Sequence, residues 1–414
     1  MRRATRRVFF VNRFFYPDES ATSQLLSDLA FGLADSGMDV HVVCSRALYD
    51  GAPTRLQPRE TIRGVAVHRL WTTRFGRAGL LGRATDYLTF YISCAFMLGW
   101  WLQKEDVIVA KTDPPLISIV AALAARLKGA ILVNWLQDVF PEVATALGAV
   151  PMPSIVQRWL RGLRDRSLLS ASVNVVIGER MREFIVGRGV SAARTVVIEN
   201  WASIGKQAPI RAADSHLRRR LGLQENFVVG YSGNLGRAHE YEIFIDTARA
   251  LLGQREIQFL FIGGGVHMNQ LRDAAAQLAL TNMHFLPYQP RDALEDSLGA
   301  VDLHLVSLRP CLEGLIVPSK FYGILAAGRP VAFVGDPDGE LARVIGRAHC
   351  GLVVRSGDSA GLAHGIELLR TRPDLRVTYG AAARDLMDGH HGESRAIARW
   401  SELLRRGLND ANSS

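Results

Sequence analysis

Glu313 and Lys320 stand in one short stretch, Glu313-Gly314-Leu315-Ile316-Val317-Pro318-Ser319-Lys320-Phe321-Tyr322-Gly323, which runs on to Arg329-Pro330. A loop carboxylate accepts hydrogen bonds from hydroxyls, and a lysine neutralises phosphate oxygens. Pro-Ser-Lys opening an apolar helix adds free backbone N–H groups. Together these groups would hold a sugar phosphate. The plainer reading is a strand-helix-strand unit whose charges face water. A second acid, Asp138, follows the apolar run 131–135, and in an open α/β sheet ligands collect outside the carboxyl ends of the strands. It could equally cap a helix ahead of Pro141.

The elements that must position these residues alternate along the chain. Residues 8–11 read as a buried strand and 22–36 as a helix, with Leu25, Leu26, Leu29, Ala30 and Leu33 at helical spacing. Further strands are expected at 40–44, 65–70, 107–110, 131–135, 173–177 and 196–198, and an alanine-rich helix at 115–128. No G-x-G-x-x-G follows the first strand, which argues against ordinary dinucleotide binding there. Residues 202–215 lose periodicity and carry Gly, Pro and Ser, as an interdomain linker does. The alternation then restarts with strands at 227–231, 257–262, 283–286, 301–306, 331–334 and 351–354. Helices at 240–252 and 266–280 fall between them, and Asp358 is placed to cap the helix after the last strand. Two Rossmann-like domains result, over 1–202 and 203–390. A terminal segment, 391–414, carries a helix expected to pack back on the first domain.

Size and composition agree. A chain of 414 residues exceeds one ordinary core, and 48% apolar with 21% charged residues is globular. Cys44, Cys94, Cys311 and Cys350 lie far apart with no C-x-x-C spacing, against a zinc cluster or disulfide framework and in favour of a reducing cytoplasm. The net charge of +9 is uneven: residues 1–200 hold 25 Lys+Arg against 17 Asp+Glu, and the remainder 24 against 23. The apolar run 87–102 carries Phe90, Tyr91, Phe96, Met97, Trp100 and Trp101 and follows a loop with Arg74, Arg77 and Arg83. It is short for a membrane span, so it reads as an interfacial helix or a buried one. A basic, aromatic first half suits an anionic membrane surface or a phosphate-bearing substrate. No Lys/Arg-rich helix, zinc finger or RNP-like motif points to nucleic acid. His41, His68 and His304 lie within strand patterns and read as packing residues.

The order of these pieces resembles the GT-B glycosyltransferases of family 4, in particular those of bacterial surface-polysaccharide biosynthesis. The resemblance spans nearly the whole chain: Phe15-Tyr16-Pro17 with Ser23 and Leu29, then 135–142, 197–201, 231–236, 261–265 and 318–330. It implies an α/β GT-B fold, with two parallel sheets facing across an interdomain cleft. It also implies transfer from a nucleoside-diphosphate sugar (UDP- or GDP-linked) to a glycan acceptor, expected here to be lipid-linked. Transfer would retain the anomeric configuration and use no cofactor or metal. The enzyme would be cytoplasmic, peripheral at the inner face of the plasma membrane. A nucleotide-sugar epimerase of the same fold, or a non-catalytic nucleotide-sugar or glycan binder, is the alternative.

Carried over residue by residue, Glu313 matches the first acid of the family's glutamate pair and would accept hydrogen bonds from donor-sugar hydroxyls. The second acid is missing, its place taken by Phe321 or Gly323. The Arg and Lys that commonly cradle the diphosphate are replaced by Asn234 and His239, so the charge falls to Lys320 and Arg237. Gly263, Gly264 and Gly265 would let backbone approach the nucleotide, or form an ordinary tight turn. Gly233, Asn234, Tyr288, Pro318 and Ser319 complete the donor side. Asp138 would orient or deprotonate the attacking hydroxyl, and Tyr16, Ser20 and Thr22 would face the acceptor.

Overall fold

The computed structural model describes residues 6–49, 51, 55–76, 79–148, 153–202 and 209–405. They form two compact units, one running to Glu199 and resuming with the helix Glu393–Arg405, the other spanning Asn200–Gly392. The division thus falls after 199, where 202 is the expected border, and residues 203–208 of the expected linker lie outside the described residues.

The first unit is built on β1 (Arg7–Val11), β2 (Asp39–Ser45), β3 (Arg59–Ile62), β4 (Val65–Leu70), β5 (Val107–Lys111), β6 (Ile131–Trp135), β7 (Val173–Val176) and β8 (Thr195–Val197). They form one sheet in the order β3-β4-β2-β1-β5-β6-β7-β8, parallel except for the β3–β4 hairpin. Parallel strands covered on both faces read as unbroken apolar runs, and β5 and β6 are buried along their whole length. Strand β3 escapes the sequence reading because Arg-Glu-Thr-Ile, on the sheet edge, offers no apolar alternation. Its turn is made by Arg63 and Gly64, both at positive φ.

The helix Glu393–Arg405 belongs to this unit. Trp400 packs 4.9 Å from the Trp135 ring, Arg399 bonds the Glu199 carboxylate at 2.9 Å, and Ile397 fills the space that a side chain at Gly32 would need.

The apolar run expected over 87–102 is the later part of a longer helix, Leu80–Trp101. Phe90, Cys94 and Leu98 enter the core, whereas Leu88, Ile92, Phe96 and Trp100 form an exposed stripe at helical spacing. Trp101 does not share that exposure: it packs against His68 at 4.7 Å, under the Arg59 guanidinium. Asp86 fixes the helix start by pairing with the buried Arg13 at 3.3 Å and accepting from Phe75 N and Gly76 N. Among the described residues, no helix is long and apolar enough to cross a membrane.

The second unit holds β9 (Phe227–Asn234), β10 (Ile257–Gly264), β11 (Met283–Leu286), β12 (Leu303–Ser307), β13 (Val331–Gly335) and β14 (Gly351–Arg355) in one parallel sheet, ordered β11-β10-β9-β12-β13-β14. Chain order reverses between β9 and β12, so the carboxyl ends of these two strands border the topological switch point where such sheets bind ligands. The helix after β14, Ser359–Thr371, starts on Asp358 as expected, its carboxylate accepting from Gly361 N.

Candidate functional site

At the carboxyl end of β9 the ammonium of Lys320 is gathered by three acceptors. Its Nζ bonds the Tyr231 hydroxyl and lies 3.3 Å from both the Asn234 carbonyl and His239 Nε2, 3.9 Å over the Tyr231 ring. His239 is oriented from behind. Its Nδ1 lies 2.5 Å from the Ser307 carbonyl, which can only accept, so Nδ1 carries the proton and Nε2 offers a lone pair to the lysine. Burial, then the Lys320 charge, holds the His239 pKa well below its usual value, which keeps this tautomer neutral. Burial likewise holds the Lys320 pKa well below that of a free lysine.

Asn234 and His239 are uncharged, and the lysine arrives from the other strand-helix unit to sit between them. Gly233, at φ +121°, passes close under its stem: a Cβ there would lie 3.8 Å from Lys320 Cε. Arg237 stands on an exposed turn and takes no part in the hydrogen bonds that gather Lys320.

Two local readings change. The glycines of 263–265 are required by the neighbouring backbone: a Cβ on Gly263 would strike the Gly233 carbonyl, and one on Gly265 the Asn234 side chain and Leu235 carbonyl. Tyr288, exposed, lies over Gly264, where a Cβ would meet its ring at 3.1 Å. The start of the helix Lys320–Ala326 is also less open than Pro318-Ser319-Lys320 suggests. Phe321 N and Tyr322 N bond the carbonyls of Pro318 and Ser319 in a tight first turn, and Ser319 makes no side-chain cap.

Glu313 lies on a different helix start. Its Oε2 accepts from Glu340 N at 3.0 Å, at the beginning of Glu340–Ala348, and its carboxylate occupies the space that a side chain on Gly339 would need. A carboxylate there satisfies an otherwise unpaired N–H and meets the positive end of the helix dipole.

In the first unit Asp138 is joined by a residue that sequence reasoning missed. Lys111, at the end of β5, is buried, with Nζ 2.7 Å from the Thr22 carbonyl and 4.0 Å over the Trp135 ring. Burial lowers its pKa to about 7, against the pull of Asp113, Asp28 and Asp138. Burial raises Asp138 to about 6, with the Thr112 hydroxyl bond and Lys111 opposing it. The only signal in the sequence is a lysine closing the otherwise apolar run Val107-Ile108-Val109-Ala110.

Thr22 thus joins this group through its carbonyl. Ser20 spends its hydroxyl on Asp18 at 2.5 Å, and Tyr16 packs edge-on against Phe31. Among the described residues no cluster of three His, Cys, Asp or Glu side chains is arranged to hold a metal ion.

Comparison with known proteins matches both units. The family model described as a glycosyl transferase 4-like domain fits residues 22–201, and that described as glycosyl transferases group 1 fits residues 214–386. The probable glycosyltransferase WbjE of Pseudomonas aeruginosa is 27% identical over 75% of this chain and 76% of its own. The putative colanic acid biosynthesis glycosyl transferase WcaI of Escherichia coli K12 is 31% identical over 58% of this chain and 60% of its own. Among solved structures, Anabaena Alr3699/HepE in complex with UDP and glucose superposes with a TM-score of 0.71 at 18% identity, over 96% of this chain and 99% of that one. The sucrose-phosphate synthase of Thermosynechococcus elongatus gives 0.76 at 16% identity, over 98% and 100%. With consecutive family models covering both halves and the same two-sheet architecture in its structural relatives, the chain belongs to the family 4 glycosyltransferases of the GT-B fold.

Proposed function

We propose that this glycosyltransferase moves a sugar from a UDP- or GDP-sugar to a lipid-linked glycan, with retention of anomeric configuration, in bacterial surface-polysaccharide assembly. The observation that carries the reading is the placement of Lys320 among Tyr231, Asn234 and His239 at the end of β9. A departing diphosphate needs positive charge. A desolvated ammonium provides it more strongly than one in water, so the lysine does here what a metal ion or an arginine would do elsewhere. Two of its contacts are long, at 3.3 Å, and phosphate oxygens would replace these first. Asp138, ionised, accepts the acceptor hydroxyl's hydrogen bond and aims its oxygen, with Lys111 and Thr112 holding the carboxylate charged.

Support for the donor comes from HepE, a protein of like fold solved with UDP-glucose. Support for the acceptor class comes from WcaI, whose name places it in colanic acid biosynthesis. The membrane reading draws on the exposed stripe Leu88, Ile92, Phe96 and Trp100 and on the basic first half of the chain. The enzyme would act from the cytoplasmic side, where nucleotide sugars and polyprenyl-linked acceptors meet.

A panel of labelled UDP- and GDP-sugars, incubated with and without a polyprenyl-linked saccharide and with EDTA in parallel, tests the proposal. Acceptor-dependent, EDTA-resistant transfer is expected. Conversion without acceptor would instead make the chain an epimerase, and binding without turnover would make it a sugar-nucleotide binder.

A further inference from the structure

On the open edge of the first sheet, a pocket of about 210 Å³ is lined by Arg46, Arg59, His68, Arg69, Trp71 and Trp101, with no carboxylate among its lining residues. Arg69 is already committed, to Glu60 and to the Tyr16 carbonyl at 2.8 Å. The other two arginines are not. Arg46 gives its Nε to the Arg69 carbonyl, which leaves its terminal nitrogens for a ligand, and Arg59 lies 4.5 Å over the Trp101 ring without an ion pair among the described residues.

His68 adds an independent sign of a ligand. It is 8% exposed, its Nε2 lies 3.0 Å from His41 Nδ1, and its own Nδ1 is buried without a partner among the described residues. The chain of bonds fixes what that atom offers. Asp39 accepts from His41 Nε2, 3.1 Å away, so His41 Nδ1 accepts from His68 Nε2 and His68 Nδ1 keeps a lone pair. Burial, then His41 and Arg59, lowers the His68 pKa to about 4, so the ring is neutral. Two uncommitted cations and one acceptor nitrogen suit an anion that also carries a hydroxyl. Burying an unpaired ring nitrogen is costly, and such a ligand would satisfy it.

The surroundings of the pocket indicate where such an anion comes from. Trp71, 62% exposed, is fixed beside the Leu80–Trp101 helix by the bond from Ser93 Oγ to its carbonyl at 2.9 Å. It stands beside the helix that carries the apolar stripe ending in Trp100, 86% exposed. Arg74, also exposed, bonds the Arg46 carbonyl at 3.0 Å. We propose that this pocket binds the phosphate of a hydroxyl-bearing phospholipid headgroup, with the phosphodiester between Arg46 and Arg59 and the headgroup hydroxyl on His68 Nδ1. The inference rests on the membrane part of the proposed function and gives it a specific contact.

Partition onto vesicles of phosphatidylcholine with and without phosphatidylglycerol tests the site. The proteins are wild type, Arg46→Ala/Arg59→Ala, His68→Phe and Trp100→Ala, each checked for folding by circular dichroism and for retained UDP binding. Two arginines near an anionic surface predict about 30-fold weaker partition of the double variant, specific to phosphatidylglycerol vesicles. His68→Phe should weaken binding to phosphatidylglycerol more than to phosphatidic acid, which lacks the headgroup hydroxyl. Binding of glycerol 1-phosphate in solution, lost in the double variant while vesicles are ignored by every protein, would keep the phosphate site and overturn its lipid source. Unchanged partition of the double variant, with loss in Trp100→Ala, would overturn the pocket and leave the membrane reading standing. Wild type indifferent to both vesicles and glycerol phosphate would overturn both, whatever the outcome for sugar transfer.

Discussion

Lys320 is held between two opposing influences: burial favours its neutral form, and three acceptors favour the ammonium. A bound diphosphate adds negative charge beside the ammonium, which the uncharged acceptors do not supply, and raises the pKa. At any pH between the free and bound values, binding takes up a proton, so UDP affinity should fall as pH rises. Calorimetry over a series of pH values, in buffers of different ionisation enthalpy, should show that uptake in wild type and none in Lys320→Met. Equal uptake in both proteins would move the titrating group elsewhere. Asp138 titrates in the opposite sense. With its pKa raised to about 6, transfer should decline on the acid side of that value, because a protonated carboxyl no longer accepts from the acceptor hydroxyl. Asp138→Asn should lower kcat/KM for the acceptor by roughly 100-fold and remove the acid limb. An unaltered pH profile in that variant would exclude Asp138 from the reaction.

At the level of elements, what could be read from the sequence depended on burial. Strands such as β5 and β6 declare themselves as apolar runs, because both of their faces are covered. The edge strand β3 does not, and the start of the Leu80–Trp101 helix is hidden because its first turns carry the polar Thr85 and Asp86, the second of which bonds the preceding loop. The glycines of 263–265 were legible as a tight turn. Their cause was not, because it lies in the β9 backbone, about 30 residues away in sequence but adjacent in the sheet. Gly263→Ala should therefore act through the fold. Its positive φ and the clash with the Gly233 carbonyl predict a loss on the order of 1–3 kcal/mol, measurable by urea unfolding, with a matching fall in UDP binding. Full stability in this variant would contradict the backbone account. Glu313 was legible as a conspicuous acid, but its bond to Glu340 N joins residues 27 positions apart, a pairing no local pattern announces.

For the whole molecule, tandem alternation announced two parallel-sheet units, and the family models fit them in the same order. The site was only partly readable. Lys320 was visible as a lysine at a helix start, whereas its partners Tyr231 and His239 come together with it only when β9 and β12 pair. Lys111 gave still less warning, being one polar residue at the end of a buried strand. In the proposed function, Lys320 supplies the positive charge on which donor cleavage depends. The most direct test is the rate of transfer from the preferred nucleotide sugar by Lys320→Met, compared with wild type at equal thermal stability. A loss of at least ~100-fold in kcat/KM for the donor is expected, on the scale of removing one transition-state charge stabiliser. Near-normal transfer by a folded Lys320→Met protein would contradict it.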